Sequence, residues 1–269
     1  MTTIRYPAVA GRFYPDDPTT LLDSVTSYLS PKKETIRAIG CLAPHAGYLY
    51  SGQVAGTVYA TLTVPRRCII LCPNHTGLGH PLSIMTQGSW RTPLGDAPVD
   101  SDLGNTLKRR FPLLHEDSDA HSGEHAIEVE LPFLQVCRPD FTLVPIALGI
   151  HPFEILQGLG ESIADVIAAQ AEPVLIIASS DMNHYESDRI TRNKDRLALD
   201  RILTLDPRGL FEVASKQDIS MCGLGPTVTM LTSAGRLGAT AAELTQYATS
   251  GDVSGDREMV VGYAGVVVQ

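Results

Sequence analysis

Three histidines of this chain each follow a short apolar run of the kind that forms a buried strand. Residues 36–42 precede His45, residues 68–72 precede His75, and residues 173–178 precede His184. Parallel strands end along one edge of a sheet, so the three imidazoles meet there if their strands are neighbours. Neutral imidazole binds Zn, Fe, Cu or Ni, and three protein ligands with an open position are typical of a catalytic metal site. Three unrelated loop histidines are the alternative.

Four other polar residues near these histidines have side chains suited to acid-base or thiol chemistry. Asp181 comes three residues before His184, where it could orient an imidazole, act as a base or cap the turn. Cys222 precedes a Gly-rich turn into a helix, so it is either a thiolate favoured by a helix N-terminus or an inert buried thiol. His125 and Glu128 are three residues apart, which predicts one helical face and either an acid-base pair or a solvated helix start.

His45 lies on a predicted strand-to-helix turn, because apolar positions at helical spacing follow it over residues 51–62. Gly47 allows a tight turn or the close approach of a ligand. Tyr48 is a candidate cleft wall or hydrogen-bond donor. We predict that Tyr48, Asn74 and Glu128 contact the substrate.

The elements that position these residues follow a strand-helix alternation. Further strands are predicted over residues 82–86, 141–148, 242–248 and 259–268, and helices over residues 101–110, 124–137, 152–170, 188–203, 207–216 and 226–237. Strands alternating with helices predict an α/β fold with a mostly parallel central sheet flanked by helices. No repeat or linker interrupts the pattern, so residues 1–269 are predicted to form a single domain. Residues 5–18 are predicted to be an ordered irregular arm, before a helix that begins at residues 16–18 and ends at Pro31.

The composition excludes several classes of protein. The net charge of −9 leaves no global basic field for nucleic acid or anionic lipid. No apolar run reaches the roughly 20 residues needed to cross a bilayer, and the start lacks a signal-peptide core, so a cytoplasmic protein is expected. The five cysteines form no CxxC pair, which disfavours a disulfide framework. The GxGxxG, GxxxxGK[ST] and GxSxG motifs are absent, so nucleotide-binding and nucleophile-elbow interpretations lack support.

Motifs spread along the chain, in order, resemble those of the Memo family, whose prokaryotic members are also called AmmeMemoRadiSam system protein B. The motifs are APHAGY at 43–48 with YSG at 50–52, PNH at 73–75, EHAIE at 124–128 with LPF at 131–133, SSD at 179–181 with HY at 184–185, and CG at 222–223 with Pro226. Residues 10–15, 249–252 and 262–265 also fit. The resemblance therefore covers essentially the whole chain.

The resemblance implies a fold similar to the class III extradiol dioxygenases, which are non-haem iron enzymes. It places the metal ligands at His45, His75 and His184, with Asp181 and Cys222 close by. One transition-metal ion is expected, with Fe(II) favoured and Cu or Zn as alternatives. Because those dioxygenases use two histidines and a carboxylate, a three-histidine site does not carry their chemistry over automatically.

Three functions remain open from the sequence. The first is a metal-dependent redox or oxygenase-type enzyme acting on a small molecule or a modified protein, with Asp181 or His125 moving protons and Cys222 as a redox-sensitive thiolate. The second is a binding or signalling module that holds a peptide or protein in the same cleft. A zinc-dependent hydrolase is the third. The family name suggests companion radical-SAM-system proteins as partners, whereas nucleic acid and membranes are not expected.

Overall fold

This computed structural model of the protein describes residues 3–29 and 34–269. Its strands are β1 (Ile4–Arg5), β2 (Gly40–Ala43), β3 (Arg67–Pro73), β4 (Leu82–Ile84), β5 (Ser89–Thr92), β6 (Gly95–Pro98), β7 (His115–Glu116), β8 (Thr142–Leu148), β9 (Val174–Ser179), β10 (His184–Glu186), β11 (Ala242–Thr249) and β12 (Val260–Val268). Its helices are α1 (Pro18–Tyr28), α2 (Tyr48–Thr61), α3 (Ser101–Arg110), α4 (Asp119–Ser122), α5 (Leu131–Cys137), α6 (Phe153–Ala168), α7 (Asp188–Leu203), α8 (Pro207–Lys216), α9 (Leu224–Arg236) and α10 (Gly251–Ser254).

A large mixed sheet forms the centre of the molecule. Its strands run in the order β10-β12-β2-β9-β3-β8-β4-β7, with β11 paired to β12. The four central strands, β2, β9, β3 and β8, are parallel. The neighbouring strands β12 and β4 join them antiparallel. The predicted α/β class is therefore confirmed, with a parallel centre and antiparallel flanks.

Helices cover both faces of this sheet, and a hydrophobic core fills each face. One core packs α3, α6, α7, α8 and α9 against the sheet. The other packs α1, α2 and α5. The central strands are apolar without alternation because both of their faces are covered, and every residue of β9 is buried. No described helix is long and apolar enough to cross a membrane.

The amino-terminal arm is ordered and irregular, as the sequence predicts. β1 pairs with β5 in a small three-stranded sheet that is completed by β6. The arm ends at α1, whose N-cap Asp17 accepts a hydrogen bond from the Thr20 backbone N–H at 2.8 Å. The predicted end of this helix at Pro31 lies outside the described residues.

The continuous helix predicted over residues 124–137 is wrong. The backbone is irregular up to Ile127, a single 3-10 turn follows at Glu128–Glu130, and α5 begins only at Leu131. His125 and Glu128 consequently do not share a helical face. The physical reason lies in their neighbours, because the carboxylates of this segment bind groups that are distant in sequence, as described below.

Candidate metal centre

Residues that follow three neighbouring strands line a cleft of about 590 Å³. β9 lies between β2 and β3, so the loops that follow these strands meet at one edge of the sheet. The side chains lining the cleft include four imidazoles, a carboxyl group and a thiol, those of His45, His75, His125, His184, Asp181 and Cys222. The histidines can converge only if the strands before them are neighbours, and β2, β9 and β3 are neighbours in the sheet.

His45 is 1% exposed and is held from two sides. Its backbone N–H donates to Asp181 Oδ1 at 2.8 Å, and its ring Nδ1 lies 2.8 Å from Ser179 Oγ. Ser179 Oγ also lies 2.7 Å from the carbonyl oxygen of Ala126, to which its hydroxyl can donate. His45 Nδ1–H can then donate to Ser179, which leaves Nε2 as the ring nitrogen that carries the lone pair. Burial lowers the pKa of His45, so the ring is neutral.

His75 is oriented by a buried carboxylate. Glu124 accepts from the His75 backbone N–H at 2.6 Å and from its ring Nδ1 at 2.9 Å. Burial works against ionisation of Glu124, yet the hydrogen bond and charge of His75 bring the pKa of this carboxyl below its usual value. A carboxylate that fixes Nδ1 leaves Nε2 as the metal-binding atom, and this pairing is common behind metal-ligating histidines.

His125 completes a group of three imidazoles. Its ring stacks on that of His75, with centroids 4.7 Å apart and an angle of 19° between the planes. One ligand atom from each of His45, His75 and His125 lies within 4.8 Å of the other two. Burial lowers the pKa of His125 as well, so lone pairs rather than protons are available. These three side chains could together hold one metal ion.

His184 lines the same cleft but lies outside this group of three. Its backbone N–H donates to Ser220 Oγ at 2.8 Å, and its Nδ1 lies 2.9 Å from the Ser220 carbonyl oxygen. The chain leaves β9 at Ser179 and enters β10 at His184, and β10 pairs with the flanking strand β12 instead of a central strand. The sequence placed His184 with the metal and His125 with the proton chemistry. In the structure, His125 is the histidine that lies with His45 and His75.

Asp181 and Cys222 lie together beside His45. The Cys222 sulfur is 3.2 Å from His45 Nε2, and the Asp181 backbone N–H donates to it at 3.3 Å. Burial raises the pKa of the Asp181 carboxyl to about 7. Burial, and next the Asp181 charge, raise the pKa of the Cys222 thiol, which is the direction of the buried-thiol alternative and not of the thiolate. Gly223 lets the Cys222 segment lie close to the Ser180–Asp181 segment, since a Cβ at position 223 would lie 2.3 Å from Ser180 Cβ.

Tyr48 and Asn74 have other contacts than those the sequence suggested. The Tyr48 hydroxyl is buried and donates to the Val129 carbonyl oxygen at 2.7 Å. Asn74 Nδ2 donates to the Leu78 carbonyl oxygen at 2.8 Å, and its Oδ1 accepts from the Gly77 N–H at 2.9 Å. Both side chains are therefore engaged in hydrogen bonds with the backbone of the protein.

Glu128, expected at the substrate, is fully buried and anchors the amino-terminal arm instead. Its carboxylate accepts from the Arg5 guanidinium, from the Ala8 N–H at 2.8 Å, from the Val9 N–H at 3.0 Å and from the Tyr14 hydroxyl at 2.6 Å. These contacts with the arm occupy both of its oxygens. Glu128 therefore positions the arm behind the cleft.

The arm in turn contributes to the cleft. Phe13 lines it, and its ring lies 4.9 Å from that of His125. The Phe13 carbonyl oxygen accepts from the Tyr48 N–H at 2.7 Å, where α2 begins. Tyr185, another lining residue, is 69% exposed and has a φ of 59°, a left-handed conformation that is strained for a bulky residue.

Three supporting residues were not identified from the sequence as site residues. Glu124 was part of the EHAIE motif, and its position next to His125 was a usable signal. Ser179 directly follows the predicted strand 173–178 and belongs to the SSD motif, which was a usable signal as well. Ser220 carries no local signal, because its role depends on the α8–α9 connection meeting β10.

Comparison with known proteins agrees with the motifs. The family described as Memo-like protein matches residues 5–267. A MEMO1 family protein of Methanopyrus kandleri is 43% identical over 277 residues, which are 98% of each chain. One from Methanosarcina barkeri is 42% identical over 270 residues, covering 99% of this chain and all of the other.

The chain belongs to the Memo family. Among solved structures, an uncharacterized protein of Escherichia coli K12 shares the fold, with a TM-score of 0.57 over 86% of this Memo-family chain and all of the other. At 11% identity this second likeness concerns the fold alone.

Proposed function

We propose that the cleft binds one transition-metal ion through His45, His75 and His125. The observation that carries this proposal is the group of three imidazoles whose ligand atoms lie within 4.8 Å of one another. Two of them have Nδ1 engaged by a hydroxyl or a carboxylate, which aims Nε2 for coordination. Neutral nitrogen ligands suit Fe(II), Cu and Zn alike, and the likeness to non-haem iron dioxygenases favours Fe(II).

We further propose redox or oxygenase-type chemistry on a small molecule or a modified protein. A metal with open positions would supply binding and activation of substrate or O₂. Asp181 has a pKa of about 7, so near neutral pH it can either hold or release a proton beside the His45 peptide. Cys222 is a protonated thiol next to the same imidazole.

Metal content after anaerobic purification tests the binding proposal. The unmodified chain is expected to carry one metal ion, and His45→Ala to lose it. His151→Ala is the matched control, because the His151 ring bonds the Pro81 carbonyl oxygen outside the cleft. Absence of metal from both the unmodified chain and His45→Ala would contradict the proposal.

O₂ uptake with a panel of catechols and thiols tests the enzymatic proposal. The metal-loaded chain is expected to consume O₂ with at least one of them, and His75→Ala to lose this uptake. If the loaded chain consumed no more O₂ than free metal, the oxygenase assignment would fail while metal binding stood.

A second candidate function, peptide or protein binding in the same cleft, is favoured by exposed apolar side chains near it. Tyr185 lines the cleft, and Leu49 and Tyr50 follow Gly47, another lining residue. Exposed apolar groups beside a cavity are typical of interaction sites. The partners would include companion proteins of a radical-SAM system. Peptide affinity that survives metal removal would support this module over the enzyme.

A further inference from the structure

A second cavity lies beside the metal cleft and shares a wall with it. Its volume is about 420 Å³, and His75 and Cys222 line both spaces. It lies among the carboxyl ends of β3 and β8, the helices α6 and α8, and the start of α9. A molecule that reaches the imidazoles in the cleft therefore has a second space next to it, beside His75 and Cys222.

The two cavities differ in chemistry. The metal cleft contains four imidazoles and the Asp181 carboxyl group. Among the described residues that line the second cavity there is no Asp, Glu, Lys or Arg. Its wall is mostly made of apolar side chains, namely Leu148, Ile150, Leu156, Phe211, Met221 and Leu224.

The polar side chains of the second cavity are already bonded within the protein. Asn74 Nδ2 donates to the Leu78 carbonyl oxygen, and the His151 ring lies 2.9 Å from the Pro81 carbonyl oxygen. His75 directs its Nδ1 to Glu124. A polar group that entered this cavity would lose water without gaining a ready partner, whereas an apolar group gains free energy in proportion to the area it buries.

We propose that the second cavity binds the apolar tail of the substrate whose polar end occupies the metal cleft. The inference rests on the proposed metal site and narrows its substrate to amphipathic molecules with a metal-binding head and an alkyl or aryl tail. The observation that carries it is that His75 and Cys222 line both spaces, which places the second cavity next to the metal cleft.

Gly225 offers a way to fill the second cavity without touching the metal cleft. It lines only the second cavity, and a Cβ there would lie 3.3 Å from Leu156 Cδ2. Gly225→Val therefore adds its side chain to this space. Gly235→Val is the matched control, because Gly235 lies on the same helix and a Cβ there meets no atom within 4 Å.

The probes are n-alkyl hydroxamic acids from acetohydroxamate to octanohydroxamate, bound to the Zn(II)-loaded full chain and measured by calorimetry. Each methylene that enters the cavity is expected to lower Kd about fourfold until the space is full. In Gly225→Val, Kd should depend much less on the length of the alkyl chain, whereas Gly235→Val should show the same dependence as the unmodified chain. Both variants should bind Zn(II) and acetohydroxamate within twofold of the unmodified chain.

The outcomes separate the two proposals. A chain that binds no Zn(II) would overturn both the metal site and the proposed tail site, which is the second cavity. Zn(II) binding with a Kd that ignores chain length, or a series unchanged in Gly225→Val, would overturn the tail site alone. If Gly225→Val did not fold, Phe211→Ala serves instead, because it removes a half-buried side chain from the wall of the second cavity. This variant should bind octanohydroxamate about fivefold more weakly than the unmodified chain and acetohydroxamate equally well. Equal affinity of the variant and the unmodified chain for octanohydroxamate would refute the tail site.

Discussion

The cleft has two walls that are built by different means. The first wall, residues 124–130, carries three buried glutamates beside His125. The second wall, residues 179–185 together with 220–222, holds His184 through the Ser220 hydroxyl and carbonyl oxygen. Side-chain positions on the first wall depend on buried carboxyl groups, whereas the position of His184 depends on uncharged hydrogen bonds.

The first wall accommodates its buried carboxyl groups in three ways. Glu128 pairs with the Arg5 guanidinium. Glu124 bonds the imidazole of His75. Burial raises the pKa of Glu130 to about 8, so this carboxyl group keeps its proton at neutral pH. Substitutions that break these three arrangements should change different properties, namely stability, Zn(II) affinity and the pH dependence of stability. Substitutions on the second wall should have smaller effects on Zn(II) affinity.

Arg5→Met should give the largest change in stability. It leaves the buried Glu128 carboxylate without its cation, and unpaired buried charges cost about 3–5 kcal/mol. Urea unfolding should show this loss. The control Arg91→Met removes the exposed ion pair with Asp96 and should change stability far less. Equal effects of the two variants would show that the first wall does not depend on buried charge.

His125→Ala should weaken Zn(II) binding more than His184→Ala does. We expect a loss of about 100-fold for His125, which belongs to the group of three, and of less than about tenfold for His184. Competition titration with a chelator measures both. The reverse order would place the third ligand on the second wall, as the family resemblance implies.

Glu124→Gln should lower Zn(II) affinity about 10-fold to 100-fold, because the amide is a poorer acceptor for His75 Nδ1–H than the carboxylate. Ser220→Ala is the corresponding change on the second wall and should have a smaller effect, since His184 keeps its contact with the Ser220 carbonyl oxygen. The same competition titration compares them. Unchanged Zn(II) affinity in Glu124→Gln would show that this carboxylate does not support metal binding by His75.

Glu130→Gln should change the pH dependence of stability. The folded pKa of about 8 exceeds the ordinary value of 4.5, so between these values the folded state binds more protons and stability falls as pH rises. One proton corresponds to at most about 1.4 kcal/mol per pH unit. Glu130→Gln should remove this contribution, and unfolding curves from pH 5 to pH 8 measure it. The exposed change Glu212→Gln should leave the slope as it was.

The central strands were predictable because the sequence marks them locally. Residues 68–72 were predicted as a strand and lie within β3, and residues 173–178 nearly coincide with β9. Continuous apolar runs of this length have few alternatives once both faces of the sheet are covered. The convergence of His45 and His75 then follows from strand order.

The supporting contacts of the site were not predictable from local sequence. Residues 124–130 read as a helix start, yet Glu124 and Glu128 bind His75 and Arg5, which lie far away along the chain. Such long-range bonds override helical propensity. His184 lies outside the group of His45, His75 and His125, and its position depends on the pairing of β10 with β12, which is a property of the folded sheet.

X-ray absorption at the zinc edge of the Zn(II)-loaded chain counts imidazole ligands, so it tests whether His45, His75 and His125 bind the metal. This ligand set requires three imidazoles in the unmodified chain and two in His125→Ala, with three retained in His184→Ala. A spectrum without imidazole scattering in the unmodified chain, or an unchanged count in His125→Ala, would contradict it.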